Sequence, residues 1–352
     1  MTFQTTWFLL IAVLWVGYFI LEGFDFGVGM LLPFVSRNEA DRRAVLTTLG
    51  PVWDGNEVWL LVAGGATFAA FPEWYATLFS GFYLPLFLIL ISLIVRGVAF
   101  EYRSKYGKAQ WRQRWDVAIL ISSAIPALLW GVAFANIVRG VPIEKSAEGN
   151  LEYVGGFFNL LNPYALLGGV VTLTVFLTHG AIFLSLKTAG GIRENARKFA
   201  IKIGLIAAVA AVAFLVWTNL MLPELDGVVL ALSTVVAVAW LASLFATLKV
   251  REGWAFIFSA VAIATFVSDL FFALYPRVMP SSLGAEFDLT ITNASSTEYT
   301  LKVMTVVAVI MTPLVLIYQG WTYWVFRKRV SAHQIQHPER GVLDTATHIL
   351  HQ

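Results

Sequence analysis

The stretch Pro51-Val-Trp-Asp-Gly-Asn-Glu-Val-Trp-Leu60 opens an apolar run that continues to Phe71. It places two carboxyl groups, one amide and two indoles at the start of a segment long enough to cross a membrane. A helix here would put Asp54 and Glu57 on one face, with Trp53 beside Glu57. Two interpretations stay open. Asp54 caps the helix and Glu57 completes a pattern like a capping box, or both acids face a partner, a cavity or an ion path.

The composition indicates a membrane protein that crosses the bilayer many times. Hydrophobic residues make up 58% of the 352 residues and charged residues only 13%, which is not typical of a soluble domain. The chain contains no cysteine, which excludes disulfides, iron–sulfur clusters, thiolate metal sites and c-type haem attachment. The net charge of +2 gives no indication of a nucleic-acid partner, and none is predicted.

Nine segments reach the length of about 20 apolar residues that one membrane span requires. They are residues 7–32, 50–71, 76–100, 116–138, 162–186, 200–221, 227–248, 253–275 and 303–326. The chain is therefore predicted to be an all-α membrane protein with a single membrane domain, residues 1–330, and a polar cytoplasmic tail, residues 331–352.

Basic residues alternate between successive connections. They are concentrated after the first, third, fifth, seventh and ninth spans, at Arg37, Arg42, Arg43, Arg103, Lys105, Lys108, Arg112, Arg114, Lys187, Arg193, Arg197, Lys198, Lys202, Lys249, Arg251, Arg327, Lys328 and Arg329. The positive-inside rule then places the N-terminus outside and the C-terminus in the cytoplasm. This orientation requires an odd number of spans, which agrees with nine.

Four acids occupy the first two predicted spans. Glu22 and Asp25 share a helical face, as do Asp54 and Glu57, and only Arg96 offsets them within the first three spans. Some of these acids should therefore be protonated or hydrated. A proton or water path and purely structural pairing both remain open.

Further residues are predicted to make structural contacts. Arg96 lies deep enough in its span to require an acid in this chain or in a partner. Glu101 and Arg103 are expected to anchor the span at the interface. Asp116 is expected at a helix N-terminus, after two tryptophans of an interfacial belt. The glycines between Gly23 and Gly29 should let two helices approach closely.

The histidines do not predict a haem or metal site. His179 is the only histidine in a span, and although it is conceivable as a haem ligand, a histidine hydrogen-bonded inside a bundle is commoner. One histidine cannot build a haem–copper centre. The remaining histidines lie in the predicted tail, where a solvated segment is favoured over a metal site; they are His333, His337, His348 and His351.

Several long motifs carry a resemblance to a known family. They are Glu22-Gly-Phe-Asp-Phe-Gly-Val-Gly-Met30, Gly50-Pro-Val-Trp-Asp-Gly-Asn-Glu-Val-Trp-Leu60, Phe68-Ala-Ala-Phe-Pro72, Arg96-Gly-Val-Ala-Phe-Glu-Tyr-Arg103, Trp130-Gly-Val-Ala-Phe-Ala-Asn136 and Tyr275-Pro-Arg-Val-Met-Pro-Ser-Ser282. Over residues 7–330 the chain resembles subunit II of the cytochrome bd quinol oxidases. The glutamates at 22 and 57 and the ending Tyr323–Arg329 look most like the actinobacterial branch, which favours menaquinol as the substrate.

The resemblance implies a fold and a set of partners. Subunit II would form two four-helix bundles plus one peripheral helix and pack against a similar subunit I in the bacterial cytoplasmic membrane. Subunit I would hold two b-type haems, one d-type haem and the quinol site, and this chain no haem. Small single-span accessory subunits and the lipid bilayer are further predicted partners.

The resemblance also assigns candidate roles to residues. The family's polar path to the haems includes the aspartates that match Asp25 and Asp54, and Glu22 and Glu57 are added here as proton-path candidates. The tryptophan that matches Trp59 lies near the proposed dioxygen access route. Candidate structural or partner contacts are Trp53, Asn56, Arg96, Glu101 and Asp116.

The predicted function is that of an oxidase subunit that supports subunit I and contributes a proton path and dioxygen access. The alternative is a proton-coupled secondary transporter. Transporters usually show broken spans in matching positions of two halves, whereas here the acids cluster in one half. An inert scaffold subunit would fit the charge-free spans but not the acids.

Overall fold

The computed structural model describes residues 2–221 and 227–336, and this part of the chain is mainly helical. The helices are α1 (Phe3–Val35), α2 (Glu39–Leu49), α3 (Trp53–Ala70), α4 (Pro72–Gly81), α5 (Tyr83–Tyr102), α6 (Ala109–Arg139), α7 (Pro163–Lys187), α8 (Gly190–Met221), α9 (Gly227–Leu248), α10 (Glu252–Leu274), α11 (Glu298–Val325) and α12 (Ala332–Gln336). The strands are β1 (Ile143–Lys145), β2 (Leu151–Tyr153), β3 (Arg277–Met279) and β4 (Leu289–Thr290). Two short 3₁₀ helices cover Phe157–Leu160 and Ala285–Phe287.

Within the described residues, eight helices are long and apolar enough to cross a membrane: α1 and α5 through α11. Helix α3 is not among them, because Asp54, Asn56 and Glu57 lie within its first five residues and lower its mean hydropathy. Its 18 residues extend about 27 Å. The predicted span 50–71 is therefore a helix of sufficient length, but its composition is not apolar enough to qualify it as a span.

The predicted span 76–100 begins in the wrong place. Helix α4 runs from Pro72 to Gly81. The helical conformation is interrupted at Phe82, so α5 begins only at Tyr83. Packing explains the break, since Thr77 donates a hydrogen bond to the carbonyl of Leu151 at 2.9 Å. A Cβ on Gly81 would lie 2.6 Å from the Tyr153 ring. Hydropathy cannot show these contacts with β2.

Helix α1 is the central helix, because it packs against α3, α6, α7 and α10. A Cβ on Gly27 would lie 2.0 Å from the carbonyl oxygen of Phe176, and Gly180 of α7 faces it with its own Cα. Gly23 lies against the Phe176 ring in the same crossing. The predicted close approach of two helices at these glycines is thus confirmed, and it joins α1 to α7.

An aromatic cluster fills the core between α1 and α6. The rings of Trp15 and Trp130 are 4.9 Å apart and those of Trp15 and Phe134 are also 4.9 Å apart, both in edge-to-face geometry. The Trp130 indole N–H donates to the Tyr18 hydroxyl at 3.1 Å, so the buried polar ends satisfy each other.

The two long connections form a cap at the end of the bundle where α6 and α10 finish. β1 pairs antiparallel with β2, and β3 with β4. The two connections are also joined to each other, because the Val141 N–H donates to the carbonyl of Pro280 at 3.1 Å and the Ser281 hydroxyl donates to the carbonyl of Ile143 at 2.6 Å. These turn-rich segments are therefore part of the packed structure.

Helix α11 lies at the edge of the molecule, and Leu301 is its one buried residue. The Trp7 indole of α1 donates to the Leu301 carbonyl at 3.1 Å. After α11 the chain returns to the bundle, where the Val330 N–H donates to the carbonyl of Lys187 at 2.8 Å and α12 packs against α2. His337, His348 and His351 of the predicted tail lie outside the described residues.

Candidate functional site

A buried ion pair lies between α1 and α5. The Arg96 guanidinium donates to a carboxyl oxygen of Glu22, and both side chains are fully buried. The guanidinium lies 4.8 Å from the centre of the Phe26 ring and 5.3 Å from that of Phe100. Aromatic faces and one carboxyl group thus replace the water that this cation would otherwise bind.

Asp25 lies one helical turn beyond Glu22 and is also fully buried. Its carboxyl group interacts with that of Glu22, and the Asn56 amide N–H donates to its Oδ2 at 2.8 Å. One guanidinium thus neutralises one of two adjacent buried acids. Four buried atoms of this cluster have no hydrogen-bond partner among the described residues: Glu22 Oε2, Asp25 Oδ1, Arg96 Nε and Arg96 Nη2.

Asn56 connects this cluster to α11. Its Oδ1 accepts hydrogen bonds from the Tyr323 hydroxyl at 2.7 Å and from the Gln319 amide at 3.3 Å. The Trp59 indole N–H donates to Gln319 Oε1 at 2.9 Å. Sequence reasoning missed Gln319 and Tyr323 as site residues. Their signal was two polar side chains four residues apart on one face of an apolar span.

Trp59 is held between α1 and α11. A Cβ on Gly17 would lie 2.1 Å from the Trp59 ring, so only a glycine leaves room for the indole there. The ring is half-buried, and its N–H is occupied by Gln319.

The interpretation of Asp54 as a helix cap is wrong. Val52 precedes the helix, no side chain caps it, and Asp54 is already inside its first turn. Asp54 is exposed, and within residues 2–221 and 227–336 its carboxyl group makes no hydrogen bond or ion pair. Glu57, on the same face, is half-buried.

A groove of about 730 Å³ separates α3 from α5. Trp53, Asp54, Glu57 and Gly97 line one end of it, and the rest of its wall is almost entirely apolar. Trp53 packs edge-to-face on Phe100 at 5.3 Å. The groove is therefore an apolar cleft with two carboxyl groups at one end.

The structure brings some predicted site residues together and separates others. Glu22, Asp25, Asn56 and Arg96 form one buried cluster, and Asp54 does not contact it. Glu57 lies between them, within electrostatic range of Glu22, Arg96 and Asp54. The remaining candidate, Glu101, is an exposed residue near the end of α5.

Asp116 and Arg103 do not have the surroundings predicted for them. Asp116 is the eighth residue of α6 rather than its N-terminus, and it accepts a hydrogen bond from the Arg103 Nε at 2.5 Å. Arg103 is buried and also binds both carboxyl oxygens of Glu39 in α2, at 2.9 and 3.0 Å. Burial lowers the pKa of the Arg103 guanidinium, but its hydrogen bonds with Asp116 and Glu39 raise it by more. Arg103 is thus a charged link between three helices rather than an interfacial anchor.

Both ring nitrogens of His179 are occupied within the chain. Nε2 lies 3.1 Å from the carbonyl of Ile20, which can only accept, and Nδ1 lies 2.8 Å from the Ser259 hydroxyl. The ring stacks on Phe256 at 4.7 Å. This arrangement leaves no nitrogen free for iron. In the described part of the chain, no three His, Cys, Asp or Glu side chains group as a metal site would require.

The fold and the site define a multi-pass membrane subunit with a charged core and acids on one outward face. Residues 3–326 match the family described as cytochrome bd terminal oxidase subunit II. The chain belongs to this family.

Individual relatives agree with the family match. The chain is 43% identical over 329 residues to cytochrome bd ubiquinol oxidase subunit 2 of Bacillus subtilis (strain 168), covering 92% of this chain and 96% of that protein. It is 39% identical over 365 residues to cytochrome bd-I ubiquinol oxidase subunit 2 of Escherichia coli (strain K12), covering 94% and 96%. A chain in the structure of bd oxidase from Geobacillus thermodenitrificans has a similar fold, with a TM-score of 0.74 at 18% identity over 93% of this chain and 100% of that chain.

Proposed function

We propose that this chain is the second subunit of a quinol:dioxygen oxidoreductase in the bacterial cytoplasmic membrane and binds no haem itself. Its relatives from Bacillus subtilis and Escherichia coli carry the names of ubiquinol oxidase subunits. Quinol oxidation and reduction of dioxygen to water would take place in subunit I, which would hold two b-type haems and one d-type haem. The family assignment favours this function over the transporter alternative.

The observation that carries the proposal is the exposure of Asp54, with the half-buried Glu57 on the same face of α3. A carboxyl group that faces lipid is costly, up to about 2.5–3.5 kcal/mol at the bilayer centre on insertion scales and less toward the interface. In this chain Asp54 is exposed and borders an apolar groove. This face of α3 and α5 therefore requires protein or water rather than lipid, and we assign it to subunit I.

The acids have an order that suits proton transfer toward the partner. Asp54 lies on the outward face, Glu57 lies between it and the core, and Glu22 and Asp25 are fully buried. Glu22 and Asp25 share one cation, so one of these carboxyl groups needs a proton or water. A carboxyl group that exchanges its proton in this position can pass it along hydrogen-bonded water.

The membrane arrangement is part of the same proposal. Counting α3 with the eight apolar helices yields nine spans, with the N-terminus outside and the C-terminus in the cytoplasm, as the basic connections require. Two four-helix bundles and a peripheral helix would accommodate these spans, and the low burial of α11 supports it as the peripheral one.

Three finer assignments rest on the resemblance. Trp59 would border the dioxygen route, menaquinol would be the quinol, and small single-span subunits would join the complex. The position of Trp59 between α1 and α11, next to Gly17, is compatible with a route that begins at the edge of the chain.

The test is turnover in Asp54→Asn and Asp25→Asn variants of the assembled oxidase. Asparagine keeps the size and hydrogen bonding of the side chain but cannot exchange a proton. We expect quinol oxidation per mole of haem d to fall by about an order of magnitude or more in each variant.

Glu101→Gln is the matched control, because it removes an exposed carboxyl group outside the cluster and should leave turnover unchanged. If Asp54→Asn and Asp25→Asn lowered the yield of complex but kept turnover per haem, these acids would have a structural role only and the proton path would be rejected.

A further inference from the structure

A second buried polar cluster joins α8, α9 and α10. It is separate from the acids of α1 and α3 and lies in the second half of the chain, where the predicted spans contain few charged residues. Asp269 of α10 is fully buried. The Ser233 hydroxyl donates to its Oδ2 at 3.1 Å, and the Asn219 amide donates to Ser233 Oγ at 3.3 Å and to the carbonyl of Leu215 at 2.8 Å. Each helix thus contributes one polar side chain to a single hydrogen-bonded line.

Two oxygen atoms of this cluster are buried without a hydrogen-bond partner in the described part of the chain. They are Asp269 Oδ1 and Asn219 Oδ1. An ionised carboxylate and an amide oxygen are both acceptors, so neither can satisfy the other unless a hydrogen is supplied. Each of the two oxygens therefore lacks a donor among the described residues.

The cluster is also short of positive charge. Among the described residues, no basic side chain forms an ion pair with Asp269. Helix α9, and α8 beyond Lys202, contain no charged residue, and the nearby Arg277 of β3 pairs with Asp288 at 4.0 Å. The titratable group that approaches from α7 is Tyr164, whose hydroxyl is hydrogen-bonded to Thr218 at 2.8 Å.

The acids of α1 and α6 are engaged elsewhere, and Arg139 at the end of α6 is exposed and forms no ion pair with Asp269 among the described residues. Glu22 and Asp25 of α1 share Arg96, and Asp116 of α6 binds Arg103. An isolated carboxylate in apolar surroundings is strongly disfavoured and takes up a proton or a cation instead.

A proton meets both requirements at once. On Oδ1 it removes the charge and supplies a donor for the oxygen of Asn219, directly or through one water molecule. Metal cations with oxygen ligands take about six or more of them, and the three side chains of this cluster offer fewer. We propose that Asp269, Asn219 and Ser233 form a proton-binding site, separate from the acids of α1 and α3, that exchanges its proton with the outer side of the membrane.

The position of the cluster suits exchange with the outer side. Asp269 lies five residues before the end of α10, or about 8 Å along the helix, and Asn219 lies two residues before the end of α8. On the topology proposed above, both helices end at the outer surface. That this side is the outer one follows from the topology proposed above. The proposal that Asp269 holds a proton does not depend on that topology.

Infrared spectroscopy of the purified oxidase complex tests the proposal. A protonated carboxyl group has a carbonyl band of its own, and we expect one such band to be present in the unmodified protein and missing in Asp269→Asn. The band should move after transfer from H₂O to D₂O. In Asn219→Ala it should shift to higher frequency, because the carboxyl group has lost its acceptor. Asp269→Asn should retain turnover per haem, which separates this site from the proton path at Asp25 and Asp54.

Thermal unfolding across pH gives a second readout. Raising the pH removes the proton and leaves a buried charge, so the unmodified protein should lose stability toward alkaline pH more steeply than Asp269→Asn. Identical spectra for the two proteins would overturn the proposal. Stabilisation by sodium ions that disappears in Asp269→Asn would show a sodium site instead, and a band that does not move in D₂O would contradict exchange with the outer side.

Discussion

Arg96 is the residue on which the charge balance of the core depends. It forms an ion pair with Glu22, and Asp25 and Glu57 also act on it electrostatically. A buried cation with several acids around it is stable only as a set, because removal of one charge leaves another without compensation.

Removal of the cation alone should therefore be severe. Arg96→Met leaves Glu22 as an unpaired buried acid, and we expect a loss of about 3–5 kcal/mol in the free energy of unfolding. Thermal unfolding and yield of the purified complex measure this loss. The double variant Glu22→Met, Arg96→Met replaces the pair by apolar side chains and should regain most of the stability. A double variant no more stable than Arg96→Met would show that the cation serves chiefly the other acids.

At the scale of the elements, α2 is attached to the bundle by charge as well as by packing. Its buried residues Ala44, Val45 and Leu49 join the apolar cluster formed with α1 and α7, while Glu39 in its first turn binds Arg103. Because Arg103 follows α5 and also binds Asp116 of α6, one guanidinium positions three helices at the end of the bundle where α1 finishes.

A comparison of two arginines tests this role. Arg103 is 3% exposed, whereas Arg112, which lies 3.4 Å from the same Glu39, is 26% exposed. Arg103→Met should cost about 3–5 kcal/mol, because Asp116 stays buried with only the longer contact to Arg42. Arg112→Met should cost less than about 1 kcal/mol. Thermal unfolding of the two variants distinguishes them, and equal losses would argue against a buried network.

At the scale of the whole molecule, the two ends of the bundle differ in chemistry. One end has the interlocked β1–β2 and β3–β4 connections, and the other has α2, α12 and most of the basic residues. This asymmetry predicts which end faces the cytoplasm.

Reporter fusions test the orientation. Alkaline phosphatase, active only outside the cytoplasm, should be inactive when fused to the C-terminus and active when inserted in the turn between β1 and β2, at residues 146–150. A fluorescent protein that folds only in the cytoplasm should show the opposite pattern at the same two positions. Activity of the phosphatase at the C-terminus would reverse the topology.

The sequence by itself determined the class of the protein, most helix positions and the family. Apolar length and basic connections depend on local composition, so predicted spans such as 162–186 and 227–248 agree closely with α7 and α9. The glycines of α1 likewise predicted a close helix crossing, because a missing side chain has the same steric meaning in any bundle. The prediction failed at 76–100, where a break at Phe82 depends on packing against β2.

Only the tertiary structure decided how the polar residues combine. Asp25, Asn56 and Tyr323 are far apart in sequence, and whether they meet depends on how α1, α3 and α11 are rotated and at what depth they cross. The same rotation turns Asp54 outward, although it lies only two residues from the buried Asn56. Hydropathy and spacing describe one helix at a time, whereas a buried hydrogen bond between helices depends on how two helices are placed relative to each other. For this reason the polar residues could be predicted from the sequence and their hydrogen-bond partners could not.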